Sequence, residues 1–91
     1  MIYSISYDLH RPGQKYADLI EAIKGSGAWW HYLQSTWLVD TNLTAQQLFS
    51  RLRPHIDDND IVLIIGVTRD YSGWLPDKAW TWINERLAKA A

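Results

Sequence analysis

Trp29-Trp30-His31-Tyr32-Leu33-Gln34-Ser35-Thr36-Trp37-Leu38-Val39-Asp40 decides how many strands this chain contains. Aromatic and β-branched residues dominate the stretch and favour extended backbone, and it is long for a single strand. Gln34-Ser35 interrupts the apolar run, so the stretch reads as two strands with a break or bulge there, or as one bent strand. Its register is ambiguous. A slip of one residue exchanges Trp29, His31 and Trp37 with Trp30, Tyr32 and Leu38 between the two faces.

Upstream, Ile2-Tyr3-Ser4-Ile5-Ser6-Tyr7-Asp8-Leu9 reads as an opening strand. Side chains alternate along a strand, which puts Tyr3, Ile5, Tyr7 and Leu9 on one face and Ser4, Ser6, Asp8 and His10 on the other. Arg11-Pro12-Gly13 signals a turn. Tyr16, Leu19, Ile20 and Ile23 then recur at helical spacing, predicting a helix from about Gln14 to Lys24 that ends at Gly25-Ser26-Gly27 with a left-handed glycine cap. Downstream, Thr44-Ala45-Gln46-Gln47 is a capping box, with Leu43 and Leu48 placed as a hydrophobic staple and Ala45, Leu48, Phe49 and Leu52 as the apolar stripe. Asp57 to Asp60 is a polar turn. The unbroken apolar run Ile61 to Val67 suits a central strand buried on both faces. Pro76-Asp77 opens a last helix marked by Trp80, Ile83 and Leu87.

Strands alternating with helices in 91 residues predict a single α+β domain over residues 1–91. The expected fold is a ferredoxin-like βαββαβ two-layer sandwich with an additional C-terminal helix. Both main helices would cover one face of the sheet. The other, carrying Ser4 and Ser6, then needs solvent or a partner, and a homodimer through the sheet is expected, with Trp-rich surface at the interface.

Composition narrows the function classes. Hydrophobic residues at 47% and charged residues at 21% describe a globular chain. No apolar run approaches the roughly 20 residues that span a bilayer, and no secretory signal is visible. The chain has no cysteine, hence no disulfide or thiolate chemistry, which fits a cytoplasmic protein. A net charge of -1 argues against a surface that binds nucleic acid everywhere, though not against a local basic patch. Six tryptophans and five tyrosines can fill a core, cover an interface or stack on bases.

Asp8 with His10 is the first candidate constellation, a carboxylate that could hold a cation beside an imidazole that could handle a proton. The plainer alternative makes Asp8 a turn residue and His10 surface. Asp57, Asp58 and Asp60 lack the glycine and downstream glutamate of a calcium loop and read as turn residues. His31 and His55 have no partners at zinc-ligand spacing. No nucleophile elbow, phosphate-binding loop or dinucleotide fingerprint occurs. Arg51 and Arg53 close the second helix, where cations complement its dipole. With Arg11 and Lys15 they are also the candidate nucleic-acid-binding residues, forming a phosphate-binding band if a dimer gathers them.

Tyr7-Asp8-Leu9, Ser35-Thr36-Trp37-Leu38-Val39, the helix from Thr44 and Asp60-Ile61-Val62-Leu63-Ile64 together resemble the small ferredoxin-fold endonuclease of CRISPR adaptation modules. The pattern around Asp8-Leu9, Trp30-His31 and Ser35-Thr36-Trp37 is closer still to its SinR-like relatives, over nearly the whole chain. The resemblance implies a homodimer in which Asp8 is a metal ligand for Mg2+, paired with its symmetry mate. Ser35 and Trp37 match the serine and aromatic that follow the break of the second strand. Catalytic roles are thus expected of Asp8, His10 and Ser35, and interface roles of Ser4, Ser6 and Trp37. Leu33 replaces the family's usual glutamine, and a tryptophan-bearing helix replaces its C-terminal strand. The expected function is metal-dependent phosphodiester hydrolysis of RNA or DNA. The alternatives are a non-catalytic dimeric scaffold docking a protein partner in a defence or toxin-antitoxin system, and an RNA-binding module that stacks bases on tryptophan.

Overall fold

The computed structural model describes residues 1–10 and 16–89, with side chains up to Leu87. Its strands are β1 (Ile2–Asp8), β2 (Ala28–Leu33), β3 (Thr36–Asp40) and β4 (Ile61–Gly66). Its helices are α1 (Ala17–Lys24), α2 (Ala45–Leu52) and α3 (Asp77–Lys89), with a 3-10 turn at Arg53–His55. The aromatic stretch is therefore a hairpin that turns at Gln34-Ser35, and β2 carries a further irregularity between Trp30 and Leu33. Neighbouring strands are all antiparallel, in the order β2-β3-β1-β4. This small α+β sheet is compatible with the ferredoxin-like arrangement, with α3 as the added helix.

The pleat of β1 divides the molecule. Tyr3 and Ile5 point toward α1 and α2, where Leu19, Ile23, Trp37, Val39, Leu48 and Leu52 complete the main core. Ile2 points the other way and joins Trp30, Ala79, Ile83 and Leu87 in a smaller cluster under α3. The register of the aromatic residues is settled by the pairs Trp29↔Val39 and Trp30↔Leu38. Trp29 and His31 lie against Trp37 on the α1/α2 side, with ring centroids 5.3 and 3.7 Å away. Trp30 and Tyr32 lie 5.1 Å apart on the α3 side.

Local signals explain the helix ends. Thr44 Oγ1 accepts from the Gln47 N–H at 3.1 Å, and Gln47 Oε1 accepts from the Thr44 N–H at 2.9 Å, so the capping box is complete. Leu48 and Leu52 are fully buried while Phe49, read as part of the same stripe, stays at the rim. Gly25 caps α1 in the right-handed region (φ -77°, ψ -5°), not in the left-handed conformation expected of it. Gly27 is constrained instead by close approach, since a Cβ there would run into the Asp40 carbonyl. The Arg11-Pro12-Gly13 turn and the expected helix start at Gln14 lie outside the described residues.

The main correction concerns Ile61 to Gly66. It is not a central strand buried on both faces, because β4 pairs only with β1 and forms an edge of the sheet. Val62 and Ile64 pack against the main core. Ile61, Leu63 and Ile65 face the other way and are 61%, 55% and 54% exposed. No helix among the described residues is long and apolar enough to cross a membrane.

Candidate functional site

Three chain segments meet where β1 ends. Asp8 stands opposite Ile61 of β4, and the Tyr7 N–H donates to the Ser35 carbonyl at 3.1 Å, which brings the β2–β3 turn to the same end of the sheet. Asp8 and Ser35 are therefore neighbours in the fold although they lie far apart in sequence. Both are exposed. Among the described residues the Asp8 carboxylate has no hydrogen bond or ion pair. It lies on the face that carries Ser4, Ser6, Leu63 and Ile61. Behind it, Ser6 Oγ and Thr36 Oγ1 are 3.2 Å apart and satisfy one another.

His10 is placed by its backbone. The strand ends at Asp8, so the alternation that would set Asp8 and His10 on one face stops before His10. The His10 N–H donates to Asp60 Oδ1 at 2.8 Å. Asp60 also accepts from the Tyr16 hydroxyl at 2.9 and 3.1 Å and from the Asp57 N–H at 2.9 Å. The His10 backbone bond is the main cause that holds this carboxyl below the ordinary carboxylate value, with Asp57 and Tyr16 adding to it. Asp60 is thus committed to tying the segments after β1 and before β4 together.

On the α2 side Arg53 is tied to the acidic turn and Arg51 to the end of α1. Arg53 donates to Asp58 at 2.8 Å and to the Ile56 carbonyl at 3.1 Å. Arg51 reaches the Gly25 carbonyl after α1 at 3.4 Å. These contacts close the ends of α1 and α2, so Arg51 and Arg53 belong to the helical layer and not to the face of Asp8. Arg11 and Lys15 lie outside the described residues.

Ser4 and Ser6 sit half-buried on the face of the sheet opposite α1 and α2, and Trp37 does not join them there. It is 1% exposed on the opposite side, with its indole N–H donating to the Tyr7 hydroxyl at 2.9 Å. Pairing Ile5 with Trp37 and Ser6 with Thr36 puts Trp37 in register with the core side of β1. The interface role expected of Trp37 therefore gives way to a core role. The row Ile61, Leu63 and Ile65 was missed as surface because an unbroken apolar run does not tell an edge strand from a central one. The signal that could have found it is the pair of serines in β1, which offer that row no apolar neighbour.

Among the described residues no group of three or more His, Asp or Glu side chains converges on one point. At this end of the sheet Asp60 is already engaged with three donors, and Asp8 has no such partner among the described residues. A hollow of about 590 Å³ lined by Met1, Ile2, Asp40, Val67, Arg69 and Arg86 lies at the opposite end of the sheet, where Ile2 pairs with Asp40. It is remote from Asp8. Compared with protein-family models and with curated proteins, the chain matches none.

Proposed function

We propose that the protein is a nucleic-acid-associated homodimer, joined through the open face of its sheet, in which two Asp8 carboxylates hold magnesium for phosphodiester hydrolysis. The observation that carries this reading is a carboxylate without a partner among the described residues, at the end of an exposed apolar row. Ile61, Leu63 and Ile65 are more than half exposed in one chain, and covering such side chains stabilises association by roughly 25 cal/mol per Å² of apolar surface. Two Asp8 carboxylates meeting across a dyad repel unless a cation or a proton lies between them. Magnesium accepts one or two carboxylates and keeps several waters, so the donor set fits it without a protein cage. When bound, the ion would acidify a water and stabilise charge on the phosphate. Asp8 orients it, while His10 and Ser35 flank the same end of the sheet and can exchange a proton or hold a phosphate oxygen. The resemblance to the CRISPR-associated endonuclease supplies the substrate class.

A second reading, the non-catalytic scaffold for a protein partner, is favoured by the basic residues. Arg51 and Arg53 are tied to Gly25, Ile56 and Asp58 in the helical layer, away from Asp8. Incubating labelled single-stranded RNA, single-stranded DNA and duplex DNA with wild type and Asp8→Asn, with magnesium, manganese or EDTA, separates the two. The nuclease reading expects metal-dependent cleavage that falls by about a hundredfold or more in Asp8→Asn, since a metal supplies several kcal/mol of charge stabilisation. Sedimentation should show the variant still dimeric. Absence of cleavage by either protein, with the dimer intact, transfers the conclusion to the scaffold.

A further inference from the structure

Three backbone segments are pinned together at the end of the sheet away from Asp8. The Val67 N–H donates to the Ile2 carbonyl at 2.8 Å, the Thr41 N–H donates to the Met1 carbonyl at 3.0 Å, and Ile2 pairs with Asp40 in the β1–β3 ladder. The last turns of α3 close the remaining side, where Leu87 packs with Ile2 in the cluster under that helix. Between these walls lies the hollow of about 590 Å³. Small-molecule sites are concave, largely preformed and about 300–1,000 Å³ in size, whereas one water needs only about 30 Å³. The hollow has the dimensions of a ligand site, and its walls are held by bonds within the chain.

Its floor is apolar. Ile2 and Leu87 are buried, and Val67 packs against the same cluster. Its rim is polar and charged. Asp40 is the one acidic residue among those that line the hollow, and both its oxygens are already engaged, Oδ1 with the Met1 ammonium at 3.5 Å and Oδ2 with the Arg86 Nε at 3.4 Å. Arg69, on the segment after β4, also lines the hollow and has no hydrogen bond or ion pair among the described residues. Beside it, Thr68 Oγ1 accepts from the Asp70 N–H at 3.4 Å, which leaves the hydroxyl proton for another acceptor. An apolar floor thus lies under a rim with unused donors and a guanidinium that Asp40 does not neutralise.

We infer that this hollow binds a small amphiphilic anion, an apolar chain or ring that carries one carboxylate. The apolar body lies on Ile2, Val67 and Leu87. The carboxylate accepts from the Arg69 guanidinium, whose planar fork matches its two oxygens, and from the Thr68 hydroxyl. A neutral head forfeits the charge on Arg69, and a cationic head meets Arg69 and Arg86 as like charges. Asp40 does not reverse this preference, because two cations already hold it. The site lies at the other end of the sheet from Asp8 and does not rest on the nuclease reading. Losing a hydrogen bond between charged groups raises a dissociation constant by about tenfold or more.

Titration of isotope-labelled protein with octanoate, followed through amide chemical shifts, tests this against octanol and octylammonium, which keep the chain and change the head. The expected result is saturable shifts at Ile2, Thr68, Arg69 and Leu87, with a dissociation constant for octanol at least about tenfold higher and for octylammonium higher still. Arg69→Gln alters an exposed side chain without a partner among the described residues, so the fold should stay intact while the octanoate constant rises about tenfold. Lys78→Gln, at the start of α3, should leave that constant unchanged. Equal constants for the three compounds, or a wild-type constant in Arg69→Gln, overturn the anion site. Octanoate shifts gathered at Ile61, Leu63 and Ile65 overturn it as well, since the chain would then lie on the exposed row of β4. The cleavage assay for Asp8 is read without octanoate, so failure of either proposal leaves the other standing.

Discussion

Asp60 shows how one side chain can organise chemistry placed elsewhere. Its carboxylate gathers the His10 N–H, the Tyr16 hydroxyl and the Asp57 N–H, donors from the segment after β1, the start of α1 and its own turn. All three prefer the ionised form, and the carboxyl is held below its ordinary value, led by the His10 bond. A depressed carboxyl contributes stability that is present above the unfolded pKa and is lost as pH falls through the folded one, because the unfolded chain binds the extra proton first. Urea midpoints should therefore fall as pH drops below about 4, and Asp60→Asn should lower the midpoint at neutral pH while flattening that acid dependence. An Asp60→Asn variant with the same acid slope as wild type would remove Asp60 as its source. None of this was legible beforehand, because a tetrad of Asp57, Asp58, Asn59 and Asp60 reads as a turn wherever its donors come from. Trp37 was misplaced for a related reason. Its spacing allowed either face, and only pairing with Ile5 chose the core.

At the scale of elements, the two layers against the sheet are not equally well satisfied. The main core joins α1 and α2 to β1 and β3 through side chains that are almost wholly buried, and its one indole donor is bonded to Tyr7. Under α3, the Trp30 Nε1 is buried without a hydrogen bond among the described residues, whereas the Arg86 Nε is ion-paired to an Asp40 oxygen at 3.4 Å and its guanidinium lies over the Trp82 ring at 4.2 Å. An unsatisfied buried donor costs about 1–3 kcal/mol. Opening of α3 should thus need less free energy than opening of β1, and regions of lower stability exchange amide hydrogens sooner. In dilute protein, α3 amides should be protected at least about tenfold less than those of β1, which corresponds to about 1.4 kcal/mol. Equal protection would show that α3 opens only with the whole domain. The helices were readable because their signals are local: the Thr44 capping box lies within four residues, and its stripe needs only one face. The position of β4 was not, because being an edge or a centre is a property of neighbours chosen by the fold. Composition gave Ile61 to Val67 the pattern of a two-sided strand, and the chain by itself provides one side.

For the whole molecule, that mismatch between pattern and burial is the strongest pointer to assembly. A strand whose outward residues are isoleucine, leucine and isoleucine, at a free sheet edge, is a hazard for uncontrolled association unless a defined partner covers it. The net charge of -1 offers little repulsion to keep copies apart. Pairing through this face would use apolar surface that the monomer leaves in water, and folding and association then become linked. For a chain that unfolds from a dimer, a tenfold rise in concentration adds about 1.4 kcal/mol per dimer. Set against an unfolding entropy of about 2 cal/mol/K for each residue in both chains, that raises the thermal midpoint by about 3 to 4 °C. Leu63→Arg puts a charge in the centre of the row at a position more than half exposed, so the single chain should still fold and its midpoint should lose the dependence on concentration. Scanning calorimetry over a hundredfold range of wild type and Leu63→Arg tests this. A wild-type midpoint that does not move would mean that the exposed row is covered by something other than a second copy, and the two Asp8 carboxylates would then have no dyad across which to meet.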